Sequence, residues 1–158
     1  MSKERILILD EEANTQWTLK ALLESEDYSV ITTNSVDQAL ENFAENELSG
    51  LITEYKIGES LTLAMVREFK ESFPEAYVMM LSYREVKEGE YEQIINAGAD
   101  DFFQKPISLK KVLLHLQKGL RNRLNLLMKE KLASNLNGIT ANDPIKEKEL
   151  NSKSQPAI

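Results

Sequence analysis

The sequence predicts an α/β protein: a doubly wound, five-stranded parallel sheet with an extended C-terminal helix. Two observations carry this. Short apolar runs alternate five times with longer segments whose apolar residues recur at helical spacing. The first run, "RILIL" at 5–9, is apolar without interruption after its first residue, the pattern of a central strand buried on both faces. Strands alternating with helices imply parallel βα units wound on both sides of one sheet.

The elements follow in order. After the first strand, "NTQWTLKALLESEDY" places Leu19, Leu22 and Leu23 on one helical face, with Asn14 or Thr15 as N-cap and Trp17 partly packed. "SVITT" (29–33) is short and β-branched. "SVDQALENFAEN" spaces Val36, Ala39, Leu40 and Phe43 for a helix that Ser35 can cap. "GLIT" (50–53) is the third strand and runs into Glu54. "SLTLAMVREFKESFP" puts Leu61, Met65 and Phe69 on one stripe and stops before Pro74. "AYVMMLS" (76–82) is the fourth strand, "YEQIINAGA" a short helix ended by Gly98, and "DFFQ" the fifth strand. The last helix opens with "SLKKVLLHLQKGL" and continues through "RNRLNLLMKEKL".

Composition narrows the function. The 158 residues are 42% hydrophobic, ample for a core, and carry a formal charge of −7, which disfavours nucleic acid and anionic lipid as partners. The charge is uneven: the window from Lys105 to Lys131 holds eight Lys/Arg and one acid, leaving −14 for the remainder. There is no cysteine, so disulfides and thiolate metal sites are excluded. The apolar run in "MSKERILILD" is too short for a signal-peptide core, and no window is apolar over a membrane-spanning length. The expectation is a soluble cytoplasmic protein.

In a doubly wound sheet the ligand site lies at the carboxyl ends of the central strands. Here those ends are Asp10-Glu11-Glu12, Glu54, Leu81-Ser82 and Gln104-Lys105-Pro106. Crowded carboxylates need a hard divalent cation or a nearby lysine to stay ionised. A hydroxyl and an ammonium beside them could hold the oxygens of a phosphoryl group.

"ILILDEE", the Glu54 strand end, "LSY" and "INAGADDFFQKP" together resemble the receiver domain of two-component response regulators, the CheY-like fold, over residues 3–121. The resemblance implies five parallel strands and five helices. It implies an Asp at the third strand end that accepts a phosphoryl group from a histidine kinase. It also implies a Mg²⁺ ion held by first-strand acids and by a backbone carbonyl two residues after the acceptor. By position, Asp10 and Glu11 match the metal-binding acids and Lys56 supplies the carbonyl. Ser82 and Lys105 match the phosphate-binding pair, the bond from Lys105 to Pro106 being cis in the family. Phe102 matches the aromatic that swings on activation. Receivers commonly meet partners on the face of the fourth helix, fifth strand and fifth helix.

The acceptor position departs from the pattern, because it holds Glu54 in place of Asp. One methylene carries the carboxylate about 1.5 Å further out. In-line attack tolerates little displacement: about 1 Å can cost on the order of 100-fold. Glu54 is therefore expected to pair with Lys105 and accept from Ser82, imitating the phosphorylated Asp, and Mg²⁺ is expected to bind weakly or not at all. Gly58, where the family often has Pro, is expected to loosen the loop that carries the Lys56 carbonyl.

His115 is the sole histidine and reads as surface or packing. Leu109, Leu113, Leu116, Leu120, Leu124 and Leu127 form a seam along the last helix. The expected organisation is a receiver at 1–121, a helical extension at 122–134 serving as linker or coiled coil, and a polar tail at 135–158. The leading expectation is an atypical, non-enzymatic receiver that binds a histidine kinase or a downstream effector. Two others stand beside it: a conventional Mg²⁺-dependent phosphoacceptor, and the regulatory fragment of a larger transcriptional regulator, a homodimer through its last helix.

Overall fold

The structure, a computed structural model, describes residues 3–142, with side chains to residue 138. Its elements run β1 (Arg5–Leu9), α1 (Ala13–Ser25), β2 (Ser29–Thr33), α2 (Val36–Glu45), β3 (Gly50–Glu54), β4 (Lys56–Ile57), β5 (Ser60–Leu61), α3 (Leu63–Ser72), β6 (Tyr77–Ser82), α4 (Glu88–Ala97), β7 (Asp101–Gln104) and α5 (Leu109–Asn142). The main sheet is wholly parallel in the order β2-β1-β3-β6-β7. Strand order reverses around β1, and such a reversal opens a crevice at the carboxyl ends of the strands.

Alternate residues of each strand feed opposite cores, because side chains on a strand alternate faces. Leu7, Leu9, Leu51, Val78 and Met80 pack with residues of α2, α3 and α4 such as Phe43, Phe69 and Ile94. Ile6, Ile8, Ile52, Met79 and Leu81 pack with α1 and α5 through Leu19, Leu23, Val112, Leu116 and Leu120. Gly119 lets α5 approach the sheet: a Cβ there would overlap the Tyr77 ring.

Most expected elements are present, and the differences have local causes. Helix α1 is capped at Glu12, not at Asn14 or Thr15; no side chain caps it, and both expected caps lie within the helix. Trp17 is 73% exposed, since at 100° per residue it lies well away from the buried Leu19. Ser35 caps α2 as expected, accepting from the Gln38 N–H at 3.2 Å. Leu61 does not join the α3 stripe. It belongs to β5, which pairs with β4 in a two-stranded antiparallel hairpin, and it is exposed.

The hairpin corrects the expectation of a loose loop after Glu54. Ile57 pairs with Ser60 around a two-residue turn whose first residue, Gly58, has φ +59°. Tight hairpin turns demand that sign, so this glycine orders the segment.

The chain divides into two units after Arg123. The first holds the sheet and, among the described residues, all of the buried core. In the second, α5 continues to Asn142, so residues 135–142 are helical where the sequence suggested a tail; the rest of that segment lies outside the described residues. The expected leucine seam is split accordingly. Leu116 and Leu120 are consumed by the first unit's core, Leu113 and Leu127 are half-buried, and Leu109 and Leu124 are exposed; Met128 and Leu132, outside that seam, are exposed as well. No described helix is long and apolar enough to cross a membrane.

Candidate functional site at the strand ends

Three groups meet at the carboxyl edge of the sheet. The Lys105 ammonium lies 2.8 Å from Asp10 Oδ2 and bonds directly to Glu54 Oε1. All three side chains are at least nine-tenths buried. Each is delivered by a strand terminus: Asp10 follows β1, Glu54 ends β3, and Lys105 follows β7, its N–H donating to the Ser82 carbonyl at 2.7 Å. The Lys105–Pro106 peptide is cis.

Backbone clamps fix the carboxylates. Gln16 Nε2 donates to the carbonyls of Asp10 (2.6 Å) and Thr33 (2.9 Å), locking the ends of β1 and β2. Asp10 Oδ1 accepts from the Glu12 N–H at 2.8 Å. Thr62, buried at the start of α3, donates its hydroxyl to the Glu54 carbonyl at 2.7 Å and its N–H to the Tyr55 carbonyl at 3.0 Å.

The charges are unequal, two carboxylates to one ammonium. Burial pushes the Glu54 carboxyl up to about 7; bonding to Lys105 opposes the rise and the neighbouring Asp10 charge adds to it. Burial works against the charge on Lys105, but its two carboxylate partners more than offset this and hold its pKa above the ordinary lysine value.

The other expected residues are less tightly gathered. Ser82 is buried and lines a cavity of about 220 Å³ with Glu11, Glu54 and Lys56. Its hydroxyl, however, donates to the Arg84 carbonyl (3.0 Å) and accepts from the Arg84 N–H (3.2 Å), not from or to Glu54 as expected. A two-residue hydroxyl turn of this kind satisfies Ser82 locally. Glu11 turns outward, its Oε1 accepting from the Gly58 N–H at 2.6 Å. Lys56 is exposed and pairs with Glu59 at 3.7 Å. Phe102 is half-buried, its ring edge-to-face with Tyr55 (6.5 Å) and Tyr91 (6.3 Å). His115 packs on Phe103, with Nδ1 3.4 Å from Asp101.

Tyr83, Gln16 and Thr62 were not singled out from sequence. Tyr83 sits with its ring 4.4 Å from the Lys105 ammonium and its hydroxyl donating to Glu12. Its place directly after Ser82 was the available signal. Thr62 had none, because it reaches Glu54 only through the intervening hairpin.

Compared with known protein families, residues 6–117 match the response regulator receiver domain. The chain belongs to that family. It is thus a receiver domain of the two-component signalling type. The transcriptional regulatory protein ResD of Bacillus subtilis is 25% identical over 120 residues, covering 76% of this chain and 49% of ResD. The chain spans about half the length of curated relatives it matches, such as this one and the aerobic respiration control protein ArcA of Escherichia coli. A CheY-like receiver from Methanospirillum hungatei has a TM-score of 0.74 at 20% identity, with 78% of this chain and 98% of that one covered. A response regulator protein from Burkholderia pseudomallei, crystallised with a phosphorylated aspartic acid, a calcium ion and citrate, has a TM-score of 0.67 at 21% identity, covering 83% and 75%. These two likenesses establish the CheY-like fold.

Receiver domains commonly bind Mg²⁺ at the phosphorylation site. In this receiver the donors do not converge on such an ion. Asp10 and Glu54 both face the Lys105 ammonium, and Glu11 is held by the hairpin. Among the described residues, no three acidic, histidine or cysteine side chains cluster closely enough to hold a metal.

Proposed function

We propose that this chain is an atypical receiver that acts by binding a protein partner, with Glu54 standing in for the phosphorylated aspartate. The observation that carries this is the buried bond between Glu54 and Lys105. An ammonium that would otherwise meet a phosphoryl oxygen is engaged by the acceptor-position side chain itself. The imitation is partial, since the Ser82 hydroxyl stays with Arg84. Divalent metal has at most a weak place: a set of Asp10, Glu11, Glu54 and the Lys56 carbonyl would require Glu11 to release Gly58 and Lys105 to yield its position. The partner is a histidine kinase or a downstream effector, the setting is the cytoplasm, and the chain turns over no substrate.

Incubation with a small-molecule phosphodonor and Mg²⁺, followed by intact-mass measurement, tests this. No stoichiometric adduct is expected on the unaltered chain. An adduct mapping to Glu54 would instead establish a conventional phosphoacceptor. In the Glu54→Asp variant the shortened arm leaves room for a phosphoryl group, and an adduct is expected there.

A second reading is favoured by the exposed Leu124, Met128 and Leu132 and by the greater length of the relatives. In it the chain is the regulatory part of a larger transcriptional regulator and pairs with a second copy through its last helix.

A further inference from the structure

We propose that Tyr55, Glu90 and Arg84 form a latch that ties both sides of the strand-end site to helix α4, and that changes at Glu54 reach the α4 face through this latch and not through Phe102. The inference deepens the protein-binding reading above and rests on it for its biological use, but its test needs no partner.

The latch meets on one oxygen. Glu90, in the first turn of α4, accepts at Oε2 from the Tyr55 hydroxyl (3.1 Å) and from Arg84 Nη2 (2.7 Å). The triangle closes with the Arg84 guanidinium 5.5 Å from the centre of the Tyr55 ring. Arg84 holds the Glu90 carboxyl below the usual range, and burial together with Glu90 pushes the Tyr55 phenol up. Tyr55 therefore stays a donor and Glu90 an acceptor.

Both arms begin at the site. Tyr55 is the residue after Glu54; its ring is almost wholly buried and its N–H donates to the Leu81 carbonyl at 2.7 Å. A change in how Glu54 sits is passed to Tyr55 through one shared peptide. Arg84 is the second residue after Ser82 and is held by the Ser82 hydroxyl. That hydroxyl has a single proton, spent on the Arg84 carbonyl. Donating it to an anion at the site would release the turn that aims Arg84 at Glu90. The structure holds the first arrangement; the second, with the proton given to such an anion, would complete the pair of states that transmission between sites requires. Phe102 cannot take the same part. It has no hydroxyl and so makes no hydrogen bond to Ser82, Arg84 or Glu90; its ring packs on the apolar core and meets Tyr55 and Tyr91 edge-on.

Hydrogen exchange of the α4 amides in the full chain tests the proposal. Tyr55→Phe and Glu90→Gln should each raise exchange in α4 by several-fold, and the double variant no further than either alone. Glu90→Asp should restore part of the protection, and the thermal midpoint should move little in any of them. The deciding comparison introduces Glu54→Gln. It should alter α4 exchange in the wild-type background and lose that effect when Tyr55 is Phe, while Phe102→Leu leaves the effect in place. An effect of Glu54→Gln that is equal with Tyr or Phe at 55, absent in both, or abolished by Phe102→Leu would overturn the latch. A phosphoryl adduct at Glu54 would overturn the functional reading above without touching these comparisons.

Discussion

Glu54 is one buried carboxylate of a pair that shares a single ammonium, and its titration exposes that imbalance. Its carboxyl lies near 4.5 in an unfolded chain and is pushed up to about 7 in the fold. Between those values the native state binds more protons than the unfolded state, so stability falls as pH rises. The contribution is fully present below 4.5 and is lost through about 7. Thermal unfolding in metal-free buffer should show the wild-type midpoint dropping relative to Glu54→Gln across that window, and a flat difference would refute the assignment. Lys105 supplies the converse case. Replacing it by Met strips both acids of their cation, which costs about 3–5 kcal/mol at a pH where both are ionised. Urea denaturation of Lys105→Met should show that loss, and adding Glu54→Gln should recover much of it by removing one charge.

At the scale of elements, α5 docks where the chain has no side chain to spare. Gly119→Ala brings the usual helical gain of up to about 1 kcal/mol, but overpacking against the Tyr77 ring costs about 1–3 kcal/mol. A net loss of stability in urea denaturation is expected, whereas the exposed Gly89→Ala, with nothing near its Cβ, should show none. Strands β1, β2 and β7 were legible to the residue, because short apolar or β-branched runs have few other uses in a chain this polar. The β4–β5 hairpin was not, since two-residue strands leave no periodicity to read. The site divides in the same way. Asp10, Glu54 and Lys105 sit at strand ends and follow from topology alone. The withdrawal of Glu11 depends on a Gly58 N–H offered only by the hairpin turn, and the Ser82 hydroxyl faces Arg84 through a local turn that competes with its long-range partner. Tyr55 and Glu90 meet across 35 positions with no motif to announce them.

For the whole molecule, the decisive fact is that the buried core ends at Leu120 while α5 continues to Asn142. Arg123, the last residue of the first unit, still bonds to Glu4 at 3.3 Å. A chain ending at Arg123 should therefore keep its thermal midpoint to within about 3 °C, less than the shift expected from losing 1 kcal/mol. The extension presents Leu124, Met128 and Leu132 at intervals of four, with Lys129 and Lys131 on either side of the stripe. Apolar burial favours pairing with a second copy, and the lysines of two parallel copies repel. Screening by salt weakens only the second effect. Sedimentation velocity should accordingly show the full chain associating more strongly as salt is raised, and the chain ending at Arg123 monomeric throughout. Association that weakens with salt would mean that charge, and not the leucine stripe, holds the copies together. Monomers for both chains at every salt concentration would remove the dimer reading altogether.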